Sequence, residues 1–348
     1  MKFRKLTASL GAFLSALLML PASVAFAQGA PLPGPVPTHR DIAYAPSTPK
    51  DGQGHLLDLY LPPKSATKVP LMIFTHGSGW MMDNGRQDAQ GLAAVLLPKG
   101  YAVAGVAVRS SGQAQFPGQL HDIKAAIRWL RAHAEDYGID SDHIGIMGES
   151  SGGWTAAMAA VTGDAPETEG DLGVTGVSSA VQVAVAFYPP TDILAMDDWA
   201  LVPCNPSVAP FRPGFCHLVS GSPETRFLGC VATTCPEKAA MASPLNYVSR
   251  ADPPIMIVHG EHDQMVPHAQ GERLYQALNK ACHEAQFLSL PLAPHGGWNR
   301  MMTDPKLAYG ATLRSTNASD CRTNLAEPVV PSWQLIVNFL DRSLKPGS

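Results

Sequence analysis

Short, almost wholly apolar runs recur along the chain, and between several of them lie segments whose apolar residues step by three and four. The runs Leu57 to Leu61, Val69 to Thr75, Tyr101 to Val108, Ile144 to Met147, Val181 to Phe187, Pro254 to His259 and Phe287 to Leu292 have strand length and strand composition. The clearest helical pattern spans Pro117 to Tyr137, with Leu120, Ile123, Ile127, Leu130 and Ala134 on one face, Pro117 near its start and Gly138 just past its end. Ala269 to Ala281 and Ser332 to Leu340 repeat the spacing. Strands apolar on both faces must be covered on both faces, so alternation with amphipathic helices predicts an α/β fold with a mostly parallel sheet.

Two stretches depart from this rhythm. At the start, Lys2, Arg4 and Lys5 precede an apolar run from Leu10 to Leu20 and then Ala25-Phe26-Ala27. This is the pattern of a signal peptide covering 1–27, and the run is short of the about 20 residues that span a bilayer. The chain is therefore expected to be exported, periplasmic or secreted, with no stable membrane anchor. Residues 28–39 carry Pro31, Pro33, Pro35 and Pro37 at alternate positions, which favours an extended arm. The remainder, 40–348, is expected to be one catalytic-sized domain.

Inside it, 197–236 is rich in Pro and Gly and holds four of the six cysteines. It reads as a stapled excursion, either a cap over a site or a loop without that role. In an oxidising compartment an even number of cysteines argues for disulfides. Proximity favours Cys204 with Cys216, Cys230 with Cys235, and Cys282 with Cys321. No paired C-x-x-C is present, so the cysteines do not suggest a metal, and no metal or organic cofactor is expected. The net charge is −4 without a block of Lys or Arg, which gives no footprint for nucleic acid or an anionic membrane. A small-molecule or polymer-linked substrate is the expected partner.

Chemistry concentrates in Gly148-Glu149-Ser150-Ser151-Gly152, a G-x-S-x-G pentapeptide that follows the run Ile144 to Met147 and leads into Trp154-Thr155-Ala156-Ala157-Met158-Ala159-Ala160. A serine on a sharp strand-to-helix turn needs small neighbours two residues either side, and Gly148 and Gly152 supply them. Ser150 is thus the candidate nucleophile, and the N–H of Ser151, at a helix start, can face an oxyanion. Glu149 points away from such a triad and is expected to make a local polar contact.

A serine nucleophile needs a base and a group that orients the base. Reactive groups gather beyond the carboxyl ends of strands in open α/β sheets. Asp263 follows the strand Pro254 to His259, and His295 follows Phe287 to Leu292, in the order Ser, Asp, His. Among 12 histidines, His259 and His262 are the nearest rivals to His295, and Asp192 is the rival acid. After Val69 to Thr75 comes His76-Gly77-Ser78-Gly79-Trp80, an HGGG-type loop with serine at one glycine position. Backbone N–H groups of Gly77 and Ser78 would join that of Ser151 in an oxyanion hole, with His76 bracing the loop. Trp80, Trp154, Tyr188 and Trp298 lie near these loops and are candidates to line the substrate pocket, with core or rim packing the alternative favoured for aromatic residues.

These motifs, together with Phe116-Pro117-Gly118-Gln119-Leu120-His121-Asp122, Tyr137-Gly138-Ile139-Asp140, Ala242-Ser243-Pro244 and Pro253-Pro254-Ile255-Met256-Ile257-Val258-His259-Gly260, resemble the α/β-hydrolase esterases of the acetyl esterase, lipase and feruloyl-esterase-like group, including bifunctional feruloyl and acetylxylan esterases. The resemblance covers roughly Leu57 to Arg300. It implies hydrolysis of carboxylic esters, of acylated sugars, plant-wall phenolics or simple model esters, through an acyl-enzyme. Ser78 in the glycine loop and the cysteine-rich excursion depart from the pattern. Two other readings share the motifs: a serine peptidase like the prolyl oligopeptidases, and a catalytically silent hydrolase fold that binds a ligand.

Overall fold

A computed structural model describes residues 34–46, 51–63, 67–163 and 165–345. The expected signal segment 1–27 and residues 28–33 of the arm lie outside the described residues. The described part of the arm is extended and already docks at Thr38, whose N–H donates to Leu59 O at 2.7 Å.

Ten strands form one sheet in the order β1-β2-β4-β3-β5-β6-β7-β8-β9-β10. They are β1 (His39–Ala43), β2 (Leu56–Tyr60), β3 (Val69–Thr75), β4 (Ala102–Val106), β5 (Ile139–Glu149), β6 (Val183–Phe187), β7 (Ile255–Gly260), β8 (Ala285–Leu290), β9 (Thr312–Thr316) and β10 (Glu327–Pro328). From β4 through β8 neighbouring strands run parallel, and antiparallel strands close both flanks. The apolar runs predicted the parallel core. They missed β1, β9 and β10, whose exposed or partly exposed residues lack the continuous apolar character of a strand buried on both faces.

Alternation along each strand divides the interior in two. Leu71 and Ile73 of β3 pack with Ile144 and Ile146 of β5 on one face, whereas Met72 and Phe74 pack with Met147 on the other. On the first face lie α2 (Gly118–Ala132) and α3 (Ser151–Val161); on the second lie α1 (Ala89–Leu96) and the C-terminal helix Trp333–Leu344. The predicted helix Pro117 to Tyr137 ends earlier, at Ala132, and a separate turn, Glu135–Tyr137, leads to Gly138 at φ +68°. Its face also carries charge that periodicity did not reveal: buried Asp122 accepts from Arg109 N at 2.8 Å and Nη2 at 2.7 Å. Buried Lys124 and Arg128 both pair with Glu169.

The chain leaves β3 outward to β4 and returns to place β5 on the opposite side of β3. The carboxyl ends of β3 and β5 therefore flank a topological switch point, the crevice where ligands bind in open α/β sheets. The cysteines pair as proximity favoured, Cys204 with Cys216, Cys230 with Cys235, and Cys282 with Cys321.

Candidate active site

Ser150 sits between β5 and α3 at φ 55° and ψ −125°, in the left-handed half of backbone space that side chains seldom enter. Its neighbours explain how the turn closes. A Cβ on Gly148 would lie 2.1 Å from Gly152 O, and one on Gly152 would lie 2.1 Å from Thr75 O. Glycine at both positions lets the start of α3 pass against the ends of β3 and β5, and the turn projects Ser150 out at the switch point.

His295 and Asp263 converge on it from the loops after β8 and β7. His295 Nε2 is 3.1 Å from Ser150 Oγ, and His295 Nδ1 is 2.8 Å from Asp263 Oδ2. Asp263 is buried, and its other oxygen accepts from the N–H groups of Met265 and Val266, both at 2.9 Å. Burial works against the Asp263 carboxylate, but the charge and hydrogen bonding of His295 and His259 prevail and hold its pKa far below the usual range. Burial likewise opposes a charged His295, and the Asp263 carboxylate outweighs it, so the imidazole pKa is raised above 6.5. The His295 side chain keeps 21% exposure and stays reachable from outside.

The rivals occupy other places. His259 is buried behind Asp263, with Nε2 3.4 Å from Oδ2 and 3.0 Å from Val266 O, so it backs the acid and does not reach the serine. His262 turns its Nδ1 to Pro291 O on the exposed side. Asp192 faces Arg273 at 3.7 Å. The service of His259 to Asp263 was missed, although its position four residues before the acid, at the end of β7, was the available signal.

The glycine loop differs from the expected three-amide arrangement. Gly77 N–H donates to Glu149 Oε1 at 2.6 Å, and Ser78 N–H donates to Ser151 Oγ at 2.9 Å, an oxygen that also accepts from Trp80 N–H at 3.2 Å. Of Gly77, Ser78 and Ser151, only the Ser151 N–H, which opens α3 and has no intrahelical acceptor, is without one of these partners. The buried carboxylate of Glu149 needs donors and takes the Gly77 amide, while the Ser151 hydroxyl takes that of Ser78. His76 Nδ1 lies 3.0 Å from the same Oε1. Burial raises the Glu149 pKa, yet the charge and hydrogen bond of His76 and the Gly77 N–H bring it down to about 2. Glu149 thus makes the expected local contact and His76 braces the loop. The Ser78 hydroxyl accepts from Met82 N–H at 3.2 Å, closing a local turn.

The four aromatic candidates are packing residues in this structure. Trp154 and Tyr188 are fully buried, and Trp80 and Trp298 keep 4% and 3% exposure. Trp154 Nε1–H donates to Ala242 O at 2.7 Å, and Trp298 packs against Phe74 and Trp333. Tyr188 sets its ring edge against His295, with centroids 4.8 Å apart. Trp80 stacks on Phe227 at 4.3 Å, and Phe227 belongs to the excursion 197–236. Phe211, also in the excursion, lies where a Cβ on Gly79 would be, 2.8 Å from that position. The excursion therefore presses on the glycine loop. Nothing in the sequence pointed to Phe211 or Phe227, because that stretch has no periodicity to read.

The sheet and the elbow define an α/β-hydrolase, and comparison with known proteins narrows the class. The BD-FAE family model matches residues 57–278, and the chain belongs to this family of α/β-hydrolase esterases. It is 30% identical over 274 residues to esterase LipQ of Mycobacterium tuberculosis, an alignment covering 76% of this chain and 59% of that protein. A solved structure described as a truncated form of carbohydrate esterase from gut microbiota is 31% identical, with a TM-score of 0.65, over 76% of this chain and 92% of the other. A bifunctional GH43-CE protein of Bacteroides eggerthii is 32% identical with the same TM-score, and the match covers 74% of this chain and 35% of the other. The chain thus spans less than two thirds of LipQ and about a third of that bifunctional protein.

Proposed function

We propose that the protein is an exported serine carboxylic-ester hydrolase in which Ser150, His295 and Asp263 act as a triad on short-chain or aromatic acyl esters. The observation that carries this reading is the pair of contacts at His295, 3.1 Å to Ser150 Oγ and 2.8 Å to Asp263 Oδ2. Neutral His295 takes the Ser150 proton at Nε2 as Oγ attacks the ester carbonyl; it returns that proton to the departing alcohol, leaving an acyl-serine. Water, deprotonated by the same nitrogen, then releases the acid and restores the serine. Asp263 keeps Nδ1 protonated and Nε2 free, and balances the imidazolium that forms in each half.

Several observations support the finer parts. The kinship to proteins named esterase and carbohydrate esterase favours ester over amide substrates. The burial of Trp80 and Trp154 and the pressure of the excursion on the glycine loop favour a small acyl group. Three disulfides agree with an oxidising compartment, and among the described residues no helix is long and apolar enough to cross a membrane.

The test is hydrolysis of p-nitrophenyl esters from acetyl to dodecanoyl, with a feruloyl ester added, by the protein and by Ser150→Ala. Turnover on the short members, falling about 10⁶-fold in the variant, is expected. Absence of turnover on every ester, or turnover that persists without Ser150, sinks the reading.

A further inference from the structure

Glu149 precedes Ser150 at the end of β5, 5% exposed, and the hydrolytic steps above leave it without a part. It is nonetheless bonded across the site. Its Oε1 accepts from Gly77 N–H at 2.6 Å and lies 3.0 Å from His76 Nδ1, both on the loop after β3. That loop touches the elbow directly: a Cβ on Gly77 would lie 2.3 Å from Glu149 O and 2.7 Å from Ser150 Cβ. One carboxylate therefore joins the loop that ends β3 to the turn that holds the serine.

We propose that Glu149 is a positioning residue, whose carboxylate fixes the His76–Ser78 loop against the serine turn and supplies a negative charge that the His295 imidazole faces. This rests on the reading of Ser150 as nucleophile and His295 as base. A shift of the loop moves the backbone amides of Ser78 and Trp80, both bonded to Ser151 Oγ, relative to the carbonyl that Ser150 attacks. Misplacement by about 1 Å is enough to lower turnover about 100-fold.

Charges around the group fix the sign of its electrostatic effect. Glu149 faces His76 from the end of β3, His295 from the loop after β8, and Tyr188 from the end of β6. His76 also faces Asp88 at 3.8 Å, and His295 also faces Asp263 at 2.8 Å. Tyr188 stays neutral, because burial first and the Glu149 charge second push its pKa well above the ordinary value. The Glu149 charge raises the proton affinity of His295, adding to Asp263. Removing the charge from Glu149 must lower that affinity.

The experiment compares Glu149→Gln and His76→Gln with the parent on p-nitrophenyl acetate, across pH, with Ser150→Ala as the zero point and circular dichroism to check folding. Glutamine keeps the shape of Glu149 and an oxygen for Gly77 but not the charge. We expect kcat to fall about 10- to 100-fold with KM within about threefold of the parent, the signature of an interaction felt in the transition state. The acid limb of kcat/KM moves to lower pH in Glu149→Gln, while His76→Gln, which removes the loop-side partner of Oε1, lowers kcat. The Glu149→Gln displacement also appears in the His295 titration followed by NMR in the Ser150→Ala background. Folded Glu149→Gln with parental kcat and an unmoved acid limb overturns the proposal. Should that variant not fold, parental kcat in folded His76→Gln, where Glu149 has lost its loop-side partner, overturns it. Turnover that survives Ser150→Ala overturns the triad and this inference together.

Discussion

The segment from β5 through Ser150 into α3 and the excursion 197–236 reach their order by different means. In the first, nearly every residue from Ile144 to Val161 is buried, β5 is paired on both sides, and four glycines sit where an added Cβ would come within 2.5 Å of another atom. The excursion is exposed over much of 201–213 and is held at a few points. Cys204–Cys216 and Cys230–Cys235 close two of its loops. Asp197 accepts from the N–H groups of His217 and Leu218, at 2.8 and 3.0 Å. Buried His217 pairs with Glu224 at 2.8 Å, and Phe227 anchors the end against Trp80. Order made by interlocked backbones leaves no slack around the serine; order made by cross-links and a few anchors does. The first segment should govern whether the reaction occurs, and the second which esters reach it.

The strongest way to break that contrast is at the serine itself, and the Ser150→Ala variant described above should lose turnover and keep its fold. Next comes Gly148→Ala. Its new Cβ would meet Gly152 O at 2.1 Å, and both atoms belong to or sit on backbone that packs against β3. The turn must open, and overpacking of this kind destabilises by about 1–3 kcal/mol or more. Displacing Ser150 from His295 should lower kcat about 100-fold. Thermal unfolding and p-nitrophenyl acetate turnover measured together check this, and parental kcat in the folded variant would show that the elbow has slack after all.

How much of this was legible beforehand follows the same division. The elbow could be read because its constraints are local: apolar run, G-x-S-x-G and helix are contiguous, and each demands a particular residue type. Asp263 and His295 could be placed because strand ends in a parallel sheet share one rim. The partners of Gly77 and Ser78 were not legible. Sequence position gives Glu149 a local polar contact and Ser151 a backbone amide, and nothing in the spacing says that their side chains, bent back from the turn, take up the loop's N–H groups. Phe211 and Phe227 were invisible for a further reason. Their contacts with Gly79 and Trp80 join residues more than a hundred apart through a stretch without periodicity. The flanking strands β1, β9 and β10 failed for want of apolar character, not for want of a rule.

On the excursion the expected effects are smaller and of another kind. Opening Cys230–Cys235 by the double change to serine releases a loop with a sequence separation of 5, for which chain entropy gives about 2 kcal/mol. The melting temperature should fall, and kcat on p-nitrophenyl acetate should stay within about threefold, since the triad and the glycine loop keep their own anchors. The ratio of acetyl to longer-chain turnover should change, because the helix Pro223–Leu228 that carries Phe227 follows directly into Cys230. A loss of kcat as large as that of Gly148→Ala would erase the distinction between the two regions.

The smallest effect, and the one that separates chemistry from folding most cleanly, is on pH. His295 must be neutral to accept the serine proton, and its pKa in the fold is raised above 6.5 because Asp263 outweighs burial. Turnover should therefore fall as pH drops through a midpoint above 6.5, with kcat/KM following a single ionisation. Stability runs the other way for the same group. A raised pKa in the folded state means that the His295 cation stabilises the fold below the unfolded value, and that this contribution disappears as pH rises through the folded one. Asp263, held far below the usual carboxylate range, withdraws its own contribution only in strong acid. Between neutrality and about pH 5 activity should thus be lost while these two groups still favour the fold. Measuring kcat/KM and melting temperature at the same pH values checks the divergence. A profile flat down to pH 4, or a melting temperature that collapses in step with turnover, would show that His295 is not the base or that acid acts through unfolding.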